Sequence, residues 1–193
     1  GTPKIVRRLD ARGFRNLVHW SRGVDTGIFH PAPSEALGLP RPVCLYVGRV
    51  AVEKNVEAFL ALDLPGSKWV VGDGPARARL QRRFPRASFL GMKTGVELAW
   101  HYQQADVLVF PSRTDTFGLV LIEAIACGTP VAAFPVTGPI DVVRDGETGA
   151  LDTDLRAAAL RALTLERARV ARHGAAFSWR AATGQFVDNL LAN

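Results

Sequence analysis

The sequence predicts an α/β fold in which one parallel sheet is covered by helices on both faces. Three observations carry this expectation. Short β-branched runs alternate with helical patterns along most of the chain, and each parallel crossover needs a helix. The 193 residues, 48% hydrophobic and 22% charged, have the composition of one soluble globular domain able to bury a substantial core. The longest apolar stretch, Phe117 to Cys127, is interrupted by Glu123 and followed by Gly128-Thr129-Pro130, so it is too short and too punctuated to span a bilayer.

Taken in order, strands are expected at 17–22 (LVHWSR), 43–47 (VCLYV), 68–71 (KWVV), 87–90 (ASFL), 107–110 (VLVF) and 131–134 (VAAF). Helical patterns fill the intervals at 54–62, 76–84, 95–104 and 118–127, then 138–143, 154–172 and 179–192. Pro75 suits the first turn of the second helix, and Asp154 or Thr153 the cap of the sixth. The arrangement is Rossmann-like, and its ligands belong outside the carboxyl ends of the strands. Residues 1–16 read as the remnant of a preceding segment or linker. They lack an initiating Met and the apolar core of a signal peptide, so more sequence is expected upstream.

Charge and cysteine usage narrow the function classes. Of 24 Lys and Arg only Lys4, Lys54, Lys68 and Lys93 are lysines, and the formal net charge is +6. Arg77, Arg79, Arg82, Arg83 and Arg86 cluster on or just after one helix. They read as a solvated face, because the interleaved aromatics of a single-strand nucleic-acid surface are missing. Peripheral contact with acidic lipid or a polyanion stays open. Cys44 and Cys127 lie far apart without metal-ligand neighbours and are expected to be reduced core residues of a cytoplasmic protein, at the inner face of the membrane if it meets one. His19, His30, His101 and His173 form no ligand set. Asp152-Thr153-Asp154 has a metal-binding form but precedes LRAAALRAL, where a cap is the favoured role.

Three strand-end loops are rich in glycine or charge: Gly48–Asn55 (GRVAVEKN), Gly72–Pro75 (GDGP) and Pro111–Gly118 (PSRTDTFG). None supplies the Gly-x-Gly-x-x-Gly of a dinucleotide fold. Gly72 and Gly74 would serve a tight turn, or let a flat ring approach the backbone. Lys54 is expected to open a helix, where the dipole disfavours a cation. Either Glu53 offsets it locally, or a diphosphate is held between Arg49 and Lys54. A helix beginning near Phe117 or Gly118 would turn its unpaired amides toward the cleft as an anion site. Asp115 then lies before that helix as a ligand group, or as its cap alongside Thr114 and Thr116. Glu123, a lone charge among seven apolar neighbours, must face a cleft or a partner. Phosphates at the cations and hydroxyls at the carboxylates suit a nucleotide sugar.

The succession LYVGRVAVEKN, VVGDGP, FLG, ADVLVFPSRTDTFGLVLIEAIACGTPVAAF and GPIDVVRDGETGAL resembles the carboxyl-terminal, donor-binding domain of family 4 retaining glycosyltransferases, one half of the GT-B fold. The resemblance covers about Asn16 to Leu151 and rests on five motifs in order. It implies that Arg49 and Lys54 hold the donor diphosphate with the backbone amides of Gly118 and Leu119. Glu123 would bind the ribose, and Asp115, shorter than the family's usual Glu, would bind the transferred sugar with Phe117 and Gly118. The base would lie over Gly72, Asp73 and Gly74 and over Gly91, Met92 and Lys93. The donor would be of the GDP-mannose or UDP-hexose type, the acceptor a lipid or polysaccharide precursor, and no metal or other cofactor is expected.

The resemblance also divides the chain into a nucleotide-sugar-binding domain, 17–176, and a last helix, 177–193, that packs toward an amino-terminal acceptor-binding domain. Phe177, Trp179, Phe186, Val187, Leu190 and Leu191 would form that seam. Two rival functions keep the same cleft: a non-catalytic nucleotide-sugar sensor and a GT-B sugar-nucleotide epimerase.

Overall fold

The computed structural model describes residues 3–191, without the side chain of Leu191. Six parallel strands form one sheet: β1 (Val43–Val47), β2 (Ser67–Val71), β3 (Ser88–Gly91), β4 (Val107–Phe110), β5 (Val131–Ala133) and β6 (Gly149–Leu151), in the spatial order β3-β2-β1-β4-β5-β6. Leu45 sits opposite Trp69 on one side and Leu108 on the other, so the two central strands, β1 and β4, are adjacent. Chain order reverses direction between them, which is where open α/β sheets form their ligand crevice.

Nine helices complete the described residues: α1 (Pro3–Asp10), α2 (Val56–Ala61), α3 (Arg77–Arg83), α4 (Gly95–Gln104), α5 (Leu119–Ala126), α6 (Pro139–Val142), α7 (Leu155–Ala162), α8 (Arg167–Gly174) and α9 (Trp179–Leu191). Alternate strand residues feed two cores. Val43, Leu45, Val47, Leu108 and Phe110 pack with Tyr102 of α4, Leu121, Ile122 and Ile125 of α5 and Val170 of α8. Cys44, Tyr46, Val107 and Val109 pack with Val56, Phe59 and Leu60 of α2, Leu80 of α3 and the alanines of α7. Because both faces are buried, the strands read as continuous apolar runs instead of alternating ones. The two cysteines are free and buried. Burial pushes the Cys44 thiol up to about 11 and the Cys127 thiol up to about 12, which makes both poor nucleophiles.

Four expectations are corrected. Residues 17–22 form no strand: the segment lies along α9, with the Trp20 indole N–H donating to the Ala182 carbonyl (2.9 Å) and the Trp20 and Phe186 rings 5.2 Å apart. The segment pairs with no strand of the sheet, and its side chains pack on α9 instead. β6 was missed because three residues, one of them Gly149, give too short a pattern. The stretch 154–172 is two helices, since α7 packs on one face of the sheet and α8 on the other, and the turn between them carries the chain across. The helix expected at 54–62 begins at Val56, preceded by a single 3₁₀ turn over Val52–Lys54 and by Asn55 in the left-handed region (φ 55°).

The arginine cluster is largely a paired face: Arg79 and Arg83 both meet Glu57, at 2.9 and 2.5 Å, and Arg77 meets Asp73 at 2.7 Å. Among the described residues no helix is long and apolar enough to cross a membrane. Residues 192–193 of the expected last helix, and Gly1 and Thr2 of the expected leading segment, lie outside the described residues.

Candidate functional site: a cleft at the carboxyl ends of the central strands

The loops leaving β1 and β4 enclose a cavity of about 140 Å³. Its wall includes Gly48, Arg49, Lys54, Ser112, Asp115, Gly118 and Leu119. Asn55 ties the two loops together by donating from Nδ2 to the Pro111 carbonyl at 3.1 Å. On the β1 side the buried Tyr46 hydroxyl donates to the Arg49 carbonyl (2.8 Å), and a Cβ at Gly48 would stand 3.0 Å from that hydroxyl. On the β4 side Gly118 takes φ 79° at the entry to α5, where a Cβ would meet Leu121 at 2.9 Å. The backbone thereby approaches the cavity without side chains in the way.

Lys54 Nζ lies 2.5 Å from Asp115 Oδ1, with the two side chains 29% and 19% exposed. This is the partner that offsets Lys54. The expected local pairing with Glu53 goes instead to Arg49, at 3.4 Å. Lys54 ends the 3₁₀ turn and does not open an α-helix, so the dipole argument does not apply to it. The Arg49–Glu53 pair is more than half exposed on both sides and contributes about 0–1 kcal/mol, leaving the guanidinium free to take a better anion.

Asp115 is not the helix cap: Gly118 occupies the N-cap position of α5 and no side chain bonds there. Its second oxygen, Oδ2, is buried without a hydrogen-bond partner, and so is Ser112 Oγ. Of three such orphaned side-chain oxygens among the described residues, these two share one small cavity. A buried unsatisfied polar group costs about 1–3 kcal/mol, so the cavity is arranged for a ligand that brings hydrogen-bond donors.

Glu123, farther along α5, does not line this cavity. The fully buried Tyr102 of α4 donates its hydroxyl to Glu123 Oε2 at 2.8 Å. Burial raises the Glu123 pKa, and the tyrosine hydrogen bond opposes the shift. Tyr102 was not singled out from sequence, because nothing local distinguishes it from other apolar positions of its helix. Tyr46, inside an apolar strand, and Ser112, one of several hydroxyl residues in its loop, were not singled out either.

The expected base-binding residues line up along the same sheet edge, after β2 and β3, outside the small cavity. Gly72 and Gly74 are accounted for by packing: their Cβ atoms would stand 1.9 Å from the Gly48 carbonyl oxygen and 2.5 Å from that of Val50. The Gly72 N–H donates to the Gly91 carbonyl (2.7 Å) and the Val50 N–H to the Asp73 carbonyl (2.8 Å). Asp73 accepts from the Gly74 N–H and from Arg77, which hold its carboxyl below the usual range. Met92 is exposed, and Lys93 pairs with Glu97. Phe117 packs on the core beside the cleft. Asp154 caps α7, accepting from the N–H groups of Arg156 (2.8 Å) and Ala157 (3.3 Å), so the Asp-x-Asp form has a structural role.

A family model described as "Glycosyl transferases group 1" matches residues 41–166. The chain is a group 1 glycosyltransferase by family. It is 40% identical, over 76% of its length, to a GDP-mannose-dependent alpha-mannosyltransferase of Mycobacterium tuberculosis (strain CDC 1551 / Oshkosh), and 39% identical, over 92%, to a D-inositol 3-phosphate glycosyltransferase of Mycolicibacterium paratuberculosis (strain ATCC BAA-968 / K-10). It spans 41% and 46% of those two relatives. Among solved structures, the lipopolysaccharide outer core galactosyltransferase WaaB superposes over 99% of the chain and 60% of its own, with a TM-score of 0.81 at 19% identity. HepE of Anabaena, in complex with UDP, gives 0.73 at 19% identity, covering 96% of this chain and 60% of its own. These likenesses show the fold, one half of the GT-B architecture; the glycosyltransferase's six-stranded parallel sheet agrees with them.

Proposed function

We infer that this glycosyltransferase chain is the donor-binding half of a retaining hexosyltransferase that works without a metal, taking a nucleotide sugar of the GDP-mannose or UDP-hexose type. The single observation that carries the reading is the Lys54–Asp115 pair at the carboxyl ends of β1 and β4, with one carboxylate oxygen left unpartnered in a cavity. The ammonium has three donors, so it can keep Asp115 and still donate to a phosphate oxygen. Asp115 Oδ2 then accepts from a hydroxyl of the sugar.

In the transfer, an acceptor oxygen bonds to the anomeric carbon as the bond from that carbon to the terminal phosphate oxygen breaks. The electron pair leaves with the diphosphate, and the acceptor's proton passes to a phosphate oxygen. Arg49, Lys54 and the first amides of α5 stabilise the growing negative charge, a task a divalent ion performs elsewhere. Glu123 binds the ribose, and the base lies over Gly72–Gly74 and Gly91–Lys93. The name of the mannosyltransferase relative favours GDP-mannose.

Most of the acceptor site belongs to an amino-terminal domain, in keeping with the greater length of the relatives. Trp179, Phe186, Val187 and Leu190 of α9 stay exposed on this chain and would meet that domain. A calorimetric panel of GDP, UDP, GDP-mannose and UDP-glucose tests the proposal. Saturable binding of one nucleotide series is expected, and no binding of any member would overturn it.

A further inference from the structure

We propose that the recess on the far side of Asp115, between α1 and the 113–116 loop, holds a phosphate group carried by the acceptor. The inference rests on the glycosyltransferase reading of the adjoining cleft. The recess has a volume of about 530 Å³ and is lined by Arg8 and Arg12 from the α1 segment, and by Arg113, Asp115 and Thr137 from the strand-end loops. Asp115 lines both this recess and the donor cavity, so a molecule seated here lies next to the sugar that Asp115 is proposed to hold.

Arg8 lies in the last turn of α1 and Arg12 in the turn that follows it, so the two like charges flank one corner of the chain. Neither they nor Arg113 pairs with a carboxylate among the described residues, although most other clustered arginines of this chain do. Arg113 is held in place: its guanidinium carbon lies 3.7 Å from the centroid of the Phe134 ring. The one carboxylate in the wall, Asp115, is already neutralised by Lys54. Three guanidinium groups around one hollow, one of them pre-positioned, match the fork geometry of a phosphate better than that of a neutral sugar. Thr137 in the same wall carries a hydroxyl able to donate to such a group. Such a phosphate can belong to a soluble polyol phosphate or to a lipid headgroup.

The test measures binding to the purified chain, with and without GDP, in two arms. One compares glycerol 3-phosphate with glycerol, and the other compares phosphatidylglycerol vesicles with phosphatidylcholine vesicles. A triple variant, Arg8→Gln, Arg12→Gln and Arg113→Gln, is set against a charge-matched control, Arg82→Gln, Arg86→Gln and Arg172→Gln. The expected result is a preference for the phosphate-bearing probe of about tenfold or more in at least one arm. The triple variant should lose that preference, the control should keep it, and GDP affinity should be unchanged in both. A preference that survives in the triple variant, that the control loses equally, or that is absent in both arms overturns the inference. Retained GDP binding without phosphate preference sinks this inference alone. Phosphate preference without any nucleotide binding sinks the donor reading and leaves the phosphate site standing.

Discussion

Replacing Lys54 by alanine is the perturbation that bears most directly on the donor cleft. Two losses are expected. The first is a charge-assisted hydrogen bond to the diphosphate, which contributes about 1.5–3 kcal/mol. The second follows from the pair seen here: without Lys54, the Asp115 carboxylate, only 19% exposed and with one oxygen already unpartnered, faces the incoming diphosphate with its charge uncompensated. At an effective dielectric of about 20, two like charges a few ångström apart repel by about 4 kcal/mol, and solvent at the open side reduces this. With the repulsion screened to about 1 kcal/mol, the two terms together predict a rise in Kd for the nucleoside diphosphate of roughly a hundredfold to several hundredfold, at about 1.4 kcal/mol per factor of ten. The double variant Lys54→Ala/Asp115→Asn should recover part of the loss, because the repulsive charge is gone. Titration calorimetry of the four proteins of the cycle gives the coupling, expected at about 1 kcal/mol or more for residues in contact. Unchanged affinity in Lys54→Ala refutes the clamp. A double variant no better than the single one refutes the repulsion.

Asp115→Asn alone is expected to spare the plain nucleoside diphosphate and to weaken the sugar-bearing donor by about tenfold, the worth of one hydrogen bond to a charged group; competition binding of the two ligands shows which is affected. Glu123→Gln should act in opposite senses on stability and binding. Burial raises the Glu123 pKa in the folded chain, so its ionisation disfavours folding as pH rises above the usual value of 4.5. The glutamine variant should therefore melt higher at neutral pH, with the gain vanishing below that value, while every ribonucleotide binds more weakly. A Tm difference that does not change between pH 4 and pH 8 would remove burial of the charge as its cause.

Much of the fold was legible because it follows from local periodicity. VCLYV, VLVF and VAAF read as strands, and their alternate residues did divide between two cores. The loops after β1 and β4 that line the cleft also stood out by their composition, since strand-end loops freed from core packing keep glycine and charge. What pairs with what was not legible. Lys54 and Asp115 are 61 positions apart and meet only because β1 and β4 are neighbours, while β2 and β3, which intervene in sequence, lie on the far side of β1. Glu123 found its partner in Tyr102 on another helix by the same route.

The sequence by itself determined the α/β class, the elements with strong internal pattern, and the charged strand-end loops that line the cleft. Only the tertiary structure decided that 17–22 lies along α9, that 154–172 breaks into helices on opposite faces, and that Lys54 bonds Asp115 and not Glu53. The physical reason is one of range. Backbone propensity and side-chain alternation act over a few residues and can be read in order. Strand adjacency, burial and ion pairing depend on which distant segments pack together, and that is settled by the whole core at once.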